Sequence, residues 1–430
     1  TITSVLANVE HMDPAARRAL EIRASWSKAT SCSKYDAMLR SRCSDDRIRG
    51  MLMYYGAQAT GRWSGRLVQL QNLPRGSLKF PEVEAHLWGV EAFGEVMAED
   101  VLSTASSLIR SVLTGGTKDL VCMDFANIEG RGQAWLAGET WKMDAFRAYD
   151  EGTGPDLYKL AYARSFGVPV ESVDGDQRQV GKVQELALGY GGGISAFAGM
   201  AANYGMDLEK LVDLVLPSAD DEERDKSEWI ATKYMENLRN RGMEPPMTLY
   251  AAIACDLLKT RWRQAHPNIV STWTAVEQAA IQTVRTGQPY QCGALTFGMS
   301  GRWLRMVLPS GRMLSMADPE ICKGDFSPEQ LTFWGMNSMT NKWQKKRTYG
   351  GDLFQSAIQA IARDVMAEAM LRVENAGYRC LMTVHDEIVA ECNGQEGSLD
   401  LFGTLMAEAP DWAEGMPIEV DGWQGWRYRK

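Results

Sequence analysis

The chain has 430 residues, 45% hydrophobic and 23% charged, with 46 basic against 55 acidic side chains and a net charge of −9. At roughly 150 residues per domain this length allows about three domains, and the globular composition excludes collagen, coiled coil and disorder. No apolar run reaches the ~18 residues of a membrane span, the N-terminus lacks a secretory signal's basic-then-apolar order, and eight scattered cysteines without a CxxC pair argue against structural zinc and for a reducing compartment.

In chain order, residues 14–41 read as a helix opened by Pro14. Residues 45–80 are turn-rich, with Gly50, Gly56, Gly61, Gly65 and Gly76, and 83–114 read as one helix ending at Gly115. Residues 120–125 form a short apolar run carrying Asp124, the pattern of a buried strand that ends in a carboxylate. Helices are expected over 128–136, 141–149, 156–166 and 176–190, the last stopped by Gly191, Gly192 and Gly193. From 205 to 285 the pattern is mostly helical, with an acidic loop at 218–226 and breaks at Pro245 and Pro267. Residues 288–316 alternate apolar and polar, predicting a β-meander, and 353–376 form an amphipathic helix. A strand over 378–384, a turn at His385, Asp386 and Glu387, and a return strand over 388–391 follow. The class is α+β, helix-rich, with a small antiparallel sheet bearing acids at its turn.

The basic residues are segregated. Arg62, Arg66, Arg75 and Lys79 lie in a segment free of acids, as do Arg302, Arg305 and Arg312, and Lys342, Lys345, Lys346 and Arg347. Each cluster alone reads as a solvated loop; three on an acidic chain point to an anion-binding track. Asp124 and Asp386 each read alone as a strand-end cap, but two carboxylates meeting on one sheet are costly unless a cation joins them. Hard oxygen donors suit Mg2+, and two such ions can clamp both oxygens of an in-line phosphoryl displacement. Arg178, Lys182, Leu186 and Tyr190 recur every four residues, which holds them near one helix face. Roughly 18 Å separates the first from the last, matching two cations for a polyphosphate and a ring to stack near a base. Arg62, Gln71 and Asn72 are residue types that read minor-groove acceptors and sugars.

In this order the segments resemble the polymerase module of the family A DNA polymerases, the bacterial polymerase I type, and most closely its phage members. The run from Asp124 through Glu129 to Arg131 resembles the family's motif A, Arg178 to Gly191 its motif B, and Val384-His385-Asp386-Glu387 its motif C. Arg62 with the Leu70–Pro74 run, and Gln355 at the start of a long helix, resemble flanking segments. The resemblance implies a right hand: a partial thumb over 1–49, a palm over 50–149 and 346–430 with its small antiparallel sheet, and helical fingers with insertions over 150–345. It implies a template-directed DNA polymerase using primer–template DNA and dNTPs, with two Mg2+ ions (Mn2+ as substitute) held by Asp124, Asp386 and the Phe125 carbonyl, and Glu387 nearby. Arg178 and Lys182 would bind the triphosphate, with Lys182 as proton donor to pyrophosphate. Glu129 would exclude a 2′-hydroxyl, Asn127, Leu186 and Tyr190 would complete the nucleotide site, and Arg62, Gln71, Asn72, Gln355 and His385 would contact DNA.

Two positions depart from the family pattern. Leu186 stands where cellular members carry Phe or Tyr, and Asn127 where bacterial members carry Gln. The stretch ahead of Asp124 is expected to be too short for a thumb plus an exonuclease domain, so proofreading is not expected of this chain, and an N-terminal portion or a replication partner would complete the grip. A cytoplasmic setting (of a bacterial host, for a phage-encoded chain) and no membrane partner are expected. A single-subunit RNA polymerase and a catalytically weak primer–template binding fragment are the competing readings.

Overall fold

The structure is a computed structural model describing residues 13–429 except 75, 77, 95–97, 99, 117, 325–327, 338–339 and 393–397, with backbone alone at 25 and 27–32. Arg75 and the first twelve residues of the expected thumb segment lie outside the described residues. The chain divides into two units. The first comprises Thr1–Ala126, Arg363–Pro410 and Ile418–Lys430, and the second Asn127–Ala362 and Asp411–Pro417. The described strands are β1 (Leu52–Ala57), β2 (Arg62–Gly65), β3 (Asp119–Phe125), β4 (Tyr290–Cys292), β5 (Leu295–Ser300), β6 (Trp303–Val307), β7 (Met313–Cys322), β8 (Gln330–Asn337), β9 (Lys342–Thr348), β10 (Arg379–Val384), β11 (Glu387–Cys392) and β12 (Val420–Gly425).

In the first unit an antiparallel sheet runs in the order β10-β11-β3-β12. β3 is almost continuously apolar because both of its faces are covered. Leu120 and Cys122 join a core with Met38, Val68, Leu70, Ile109 and Val389. On the other face Met123 meets Gly403 of helix Leu399–Ala407, where an added Cβ would lie 3.0 Å from the methionine methyl. β12 escapes the sequence pattern because two glycines depress its strand propensity. Gly422 is nonetheless required, since a Cβ there would fall 2.1 Å from the Cys122 carbonyl oxygen.

Helix Pro14–Ser41 forms as expected, with Asp13 accepting from the backbone N–H groups of Ala15 and Ala16. The single helix expected over 83–114 is instead two. Phe80–Phe93 stops at Gly94, whose φ of 75° gives the left-handed C-cap, and Val101–Leu108 restarts under an Asp100 cap. The turn-rich 45–80 stretch holds the β1–β2 hairpin and a 3-10 turn, Leu70–Asn72.

The second unit is helical around helix Leu249–Ala265, whose residues 251–258 are all buried, with Phe197, Trp262 and Ile358 in the same core. The acidic stretch expected as a loop at 218–226 instead starts helix Asp221–Asn240. Asp220 accepts from the Glu223 N–H, and Asp221, Glu222 and Glu223 occupy the first turn, where the helix dipole favours negative charge. The meander expected over 288–316 is larger, a six-stranded sheet in the order β4 to β9. Its inner face (Phe297, Leu304, Met306, Leu314, Met316 and Leu331) packs with Val276 and Ala280 of helix Pro267–Thr286 and with Leu353 and Ala357. The later strands hide from pattern reading because β9, KWQKKRT, has little apolar alternation.

Candidate active site

At one end of the first unit's sheet, strand pairing fixes three carboxylates in a row. Asp124 on β3 faces Glu387 on β11 and, from its other side, Asp421 on β12. Directly opposed residues put their Cβ atoms about 4.5–5.5 Å apart on one face. His385 and Asp386 form the two-residue loop of the β10–β11 hairpin, with His385 at φ 61°. A non-glycine residue in that region is strained, and such strain persists where the surroundings enforce it. The enforcing contact extends the β3–β11 ladder by one bond: the Phe125 N–H donates to the Asp386 carbonyl at 3.2 Å. Asp124 and Asp386 thus sit at adjacent strand ends, as their sequence positions suggested.

Glu387 is only 2% exposed and accepts from the Tyr428 hydroxyl at 2.6 Å. Burial first, and the neighbouring Glu387 carboxylate second, push the Tyr428 phenol far up, so it remains a proton donor. Arg110 lies 3.4 Å from the same hydroxyl and donates to the carbonyls of Leu73 at 2.7 Å and Pro74 at 3.1 Å. The Leu70–Asn72 turn, with Gln71 and the exposed Asn72, is thereby tied through Arg110 and Tyr428 to the acidic end of the sheet. Asn72 also donates to Gln69 at 3.0 Å. Arg62 lies on β2, in a hairpin anchored by Arg363, which donates to the Gly61 carbonyl at 3.1 Å and lies against the rings of Tyr54 and Trp63. Asp124, Glu387, Asp421, Trp423 and Arg429 line a cleft of about 370 Å3. Asp421, Tyr428 and Arg110 were absent from the sequence reading; only their fold neighbours give them meaning.

Among the described residues no group of three or more His, Cys, Asp or Glu side chains forms a metal cage. Two strand-end carboxylates are instead an open set of hard oxygen donors. That is the set Mg2+ takes when substrate phosphates complete its shell, so the residues present fit that ion.

The second unit carries the helix expected to grip phosphates, Gly175–Leu188, opened by a capping box between Asp174 and Gln177. It ends two residues before Tyr190, not at it. Arg178 pairs with Asp156 at 2.8 Å. Burial, the largest single influence, raises the Asp156 pKa, but the Arg178 hydrogen bond and charge and the N–H groups of Lys159 and Tyr158 together outweigh it, leaving the carboxyl below its ordinary value. The Lys182 ammonium lies over the rings of Tyr158 at 5.9 Å and Tyr204 at 4.7 Å. Leu186 is 40% exposed.

Helix Ile128–Ala137, capped by the Asn127 side chain, holds the far end of this element. Glu129 accepts from the Tyr190 hydroxyl at 3.1 Å, and one turn on, Gln133 donates to the Gly189 carbonyl at 2.6 Å. Tyr349 donates to the Tyr190 carbonyl at 3.0 Å, and Arg263 to those of Gly191 and Gly192 at 3.3 and 3.2 Å. These side chains satisfy carbonyls that a helix end leaves without partners. Gln355 lies half-buried on helix Gly350–Asn375 in this unit. The structure therefore brings Glu129 and Tyr190 together, as well as Asp124 with Asp386 and Glu387.

Glu185, on the same helix as Arg178 and Lys182, receives no role from the sequence pattern. It turns to a buried cluster. It pairs with Lys142, accepts from Trp262 Nε1 at 2.8 Å and lies 3.3 Å from His266 Nε2. The side chains of Lys142, Glu185 and His266 are 4%, 11% and 0% exposed. His266 stacks on Trp262 at 4.0 Å, and its Nδ1 donates to the Trp262 carbonyl at 2.8 Å. Burial, then Lys142, holds the imidazole below its usual pKa, whereas Lys142 and His266 outweigh burial to keep Glu185 well below the carboxylate range.

No protein-family model matches the sequence. The chain is 35% identical over 426 residues to a DNA polymerase of Bacillus phage SP02, an alignment covering 97% of this chain and 58% of that relative. It is 29% identical over 158 residues to DNA polymerase I of Mycobacterium bovis, covering 36% of this chain and 14% of the relative. The polymerase domain of Pol1 from M. smegmatis, solved with DNA primer-template and dNTP, superposes with a TM-score of 0.54 at 18% identity, covering 96% of this chain and 52% of that one. That likeness shows a shared fold.

Proposed function

We propose that the chain is a family A DNA polymerase module, template-directed and adding dNTPs to a primer 3′-hydroxyl. The observation that carries the reading is the register of β11 on β3, which sets Asp124 and Asp386 at adjacent strand ends of one sheet.

In this reading Asp124 and Asp386 hold divalent ions, with the Phe125 carbonyl as a further oxygen ligand. The bound ions, Mg2+ or Mn2+, would lower the pKa of the primer hydroxyl and neutralise the leaving pyrophosphate. Glu387, kept in place by Tyr428, adds fixed negative charge beside Asp124. Arg178 and Lys182 bind the triphosphate; Arg178 exchanges its Asp156 partner for phosphate oxygens, and Lys182 donates the proton that pyrophosphate takes up. Tyr190 holds Glu129 where it blocks a 2′-hydroxyl, which selects deoxynucleotides. Arg62, Gln71, Asn72, Gln355 and His385 contact primer–template, and Asn127 and Leu186 shape the nucleotide site. The partial thumb, the palm and the fingers follow the boundaries given above. The test is Asp386→Asn, which removes one metal ligand without changing shape. Extension of a primed template should vanish while gel-shift affinity for that duplex stays within about twofold; surviving extension refutes the assignment.

A further inference from the structure

Two of the acid-free basic segments, 297–313 and 336–351, fold into one sheet, β4 to β9. Its inner face is the packed one described above. On the other face the register sets Trp303 opposite Ala317, Ala317 opposite Trp334, and Trp334 opposite Lys345. Ala317, between Trp303 and Trp334 on this outer face, is 1% exposed. Strands stand about 4.8 Å apart, which puts Trp303 and Trp334 roughly 10 Å from each other. Trp343 is opposite Met336, two residues along from Trp334, and so shares the face. Trp334 and Trp343 are 37% and 50% exposed. Cations interleave with these rings. The Arg305 guanidinium lies 5.2 Å over the Trp303 ring, and Lys345 and Arg347 alternate with Trp343 along β9. The nearby acids, Asp318 and Glu320, pair with Arg302 and Lys345.

Exposed indoles without cations would suit an apolar protein partner, and cations without indoles a general anion patch. Indoles interleaved with cations on an antiparallel sheet suit an unpaired nucleic-acid strand, whose bases stack on rings while its phosphates meet the charges. We propose that this face is a binding platform for single-stranded nucleic acid, with bases on Trp303, Trp334 and Trp343 and phosphates over Arg305, Lys345 and Arg347. Because every base has a π face, recognition is sequence-tolerant. The inference rests on this sheet and not on the transfer chemistry, so a chain inactive in extension still tests it.

The experiment measures fluorescence anisotropy of labelled dT16 with the full chain between 50 and 200 mM salt, with rU16 as the arm that separates DNA from RNA. Trp334→Ala/Trp343→Ala should weaken dT16 binding at least about tenfold, the range expected from losing two stacking contacts. Arg305→Gln/Lys345→Gln/Arg347→Gln should flatten the log–log salt slope by about 2, from roughly 0.7 per charge on a single strand. All these side chains lie on the sheet's outer face, and unchanged thermal midpoints would exclude misfolding. Photo-cross-linking of iodo-dU16 should map to peptides of β6, β8 and β9. Wild-type affinity and slope in both variants overturns the proposal. Weakening by the charge variant alone also overturns it, since that result describes an anion patch without stacking.

Discussion

Substituting Glu185→Gln tests whether the buried cluster beneath helix Gly175–Leu188 holds that helix in place. Gln keeps the shape and an acceptor for Trp262 Nε1 but removes the charge that faces Lys142. Lys142 is 4% exposed on its side chain, so its ammonium cannot find water without rearrangement. Removing one partner of a buried pair costs about 3–5 kcal/mol. The variant should therefore lose about 3–5 kcal/mol in urea unfolding. Adding Lys142→Met removes the stranded cation, and most of that loss should return, because an apolar replacement of a buried pair is often neutral. The double-mutant cycle should therefore show coupling of at least about 2 kcal/mol. With the helix loosened, the KM for nucleotide should rise more than kcat falls, since Arg178 and Lys182 ride on it. A loss below about 0.5 kcal/mol, or additive single effects, would refute the buried network as a support.

Four other outcomes follow from particular contacts. Gly181→Ala places a Cβ 2.1 Å from the Tyr158 carbonyl oxygen, forcing helices Leu157–Phe166 and Gly175–Leu188 apart; the net cost should be about 1–2 kcal/mol by urea unfolding, after the helix-propensity gain of alanine. His266 is held below its ordinary pKa by burial and by Lys142, so the unfolded chain binds a proton the folded chain does not. Stability should be level above pH ~6.5 and fall as pH drops below it, by up to about 1.4 kcal/mol per unit, with His266→Gln losing that slope between pH 6.5 and 5. Tyr428→Phe leaves Glu387 buried without its 2.6 Å donor and should cost about 1–3 kcal/mol in stability, together with at least tenfold in kcat if Glu387 tunes the carboxylate end. Glu129→Ala should raise ribonucleotide incorporation at least about tenfold relative to deoxynucleotide, read by single-nucleotide extension, while Tyr190→Phe, which removes the 3.1 Å hydroxyl donor to Glu129, should raise it less.

Some elements were legible because local chemistry and global packing agree there. The apolar run over 120–125 reads as a covered strand and forms one, and the turn expected at 385–387 is two residues, His385 and Asp386, with Glu387 already in β11. Helix Gly175–Leu188 announced itself through its closing glycines, although its last turn stops short of Tyr190. The misses share a cause: the deciding contact lies far along the chain. Gly422 weakens β12 locally yet is demanded by the Cys122 carbonyl, and Asp421 gains meaning only once β12 lies beside Asp124. Asp220 and its acidic neighbours look like a loop, but they are the capped first turn of a helix. Arg178 looks like an open phosphate cation, but Asp156, 22 residues earlier, pairs with it. Glu185 carries no signal in the sequence because its partners, Lys142 and His266, come from two other helix boundaries.

The central claim is that the carboxylates brought together by β3 and β11 perform templated nucleotidyl transfer to deoxynucleotides. The most direct measurement is primer extension by the 430-residue chain on a primed DNA template, with Mg2+ and either dNTPs or rNTPs, beside Asp124→Asn and Asp386→Asn. The account predicts a template-length ladder with dNTPs, little or none with rNTPs, and none from either variant. A ladder that survives both substitutions, or one that grows equally on rNTPs, would contradict it.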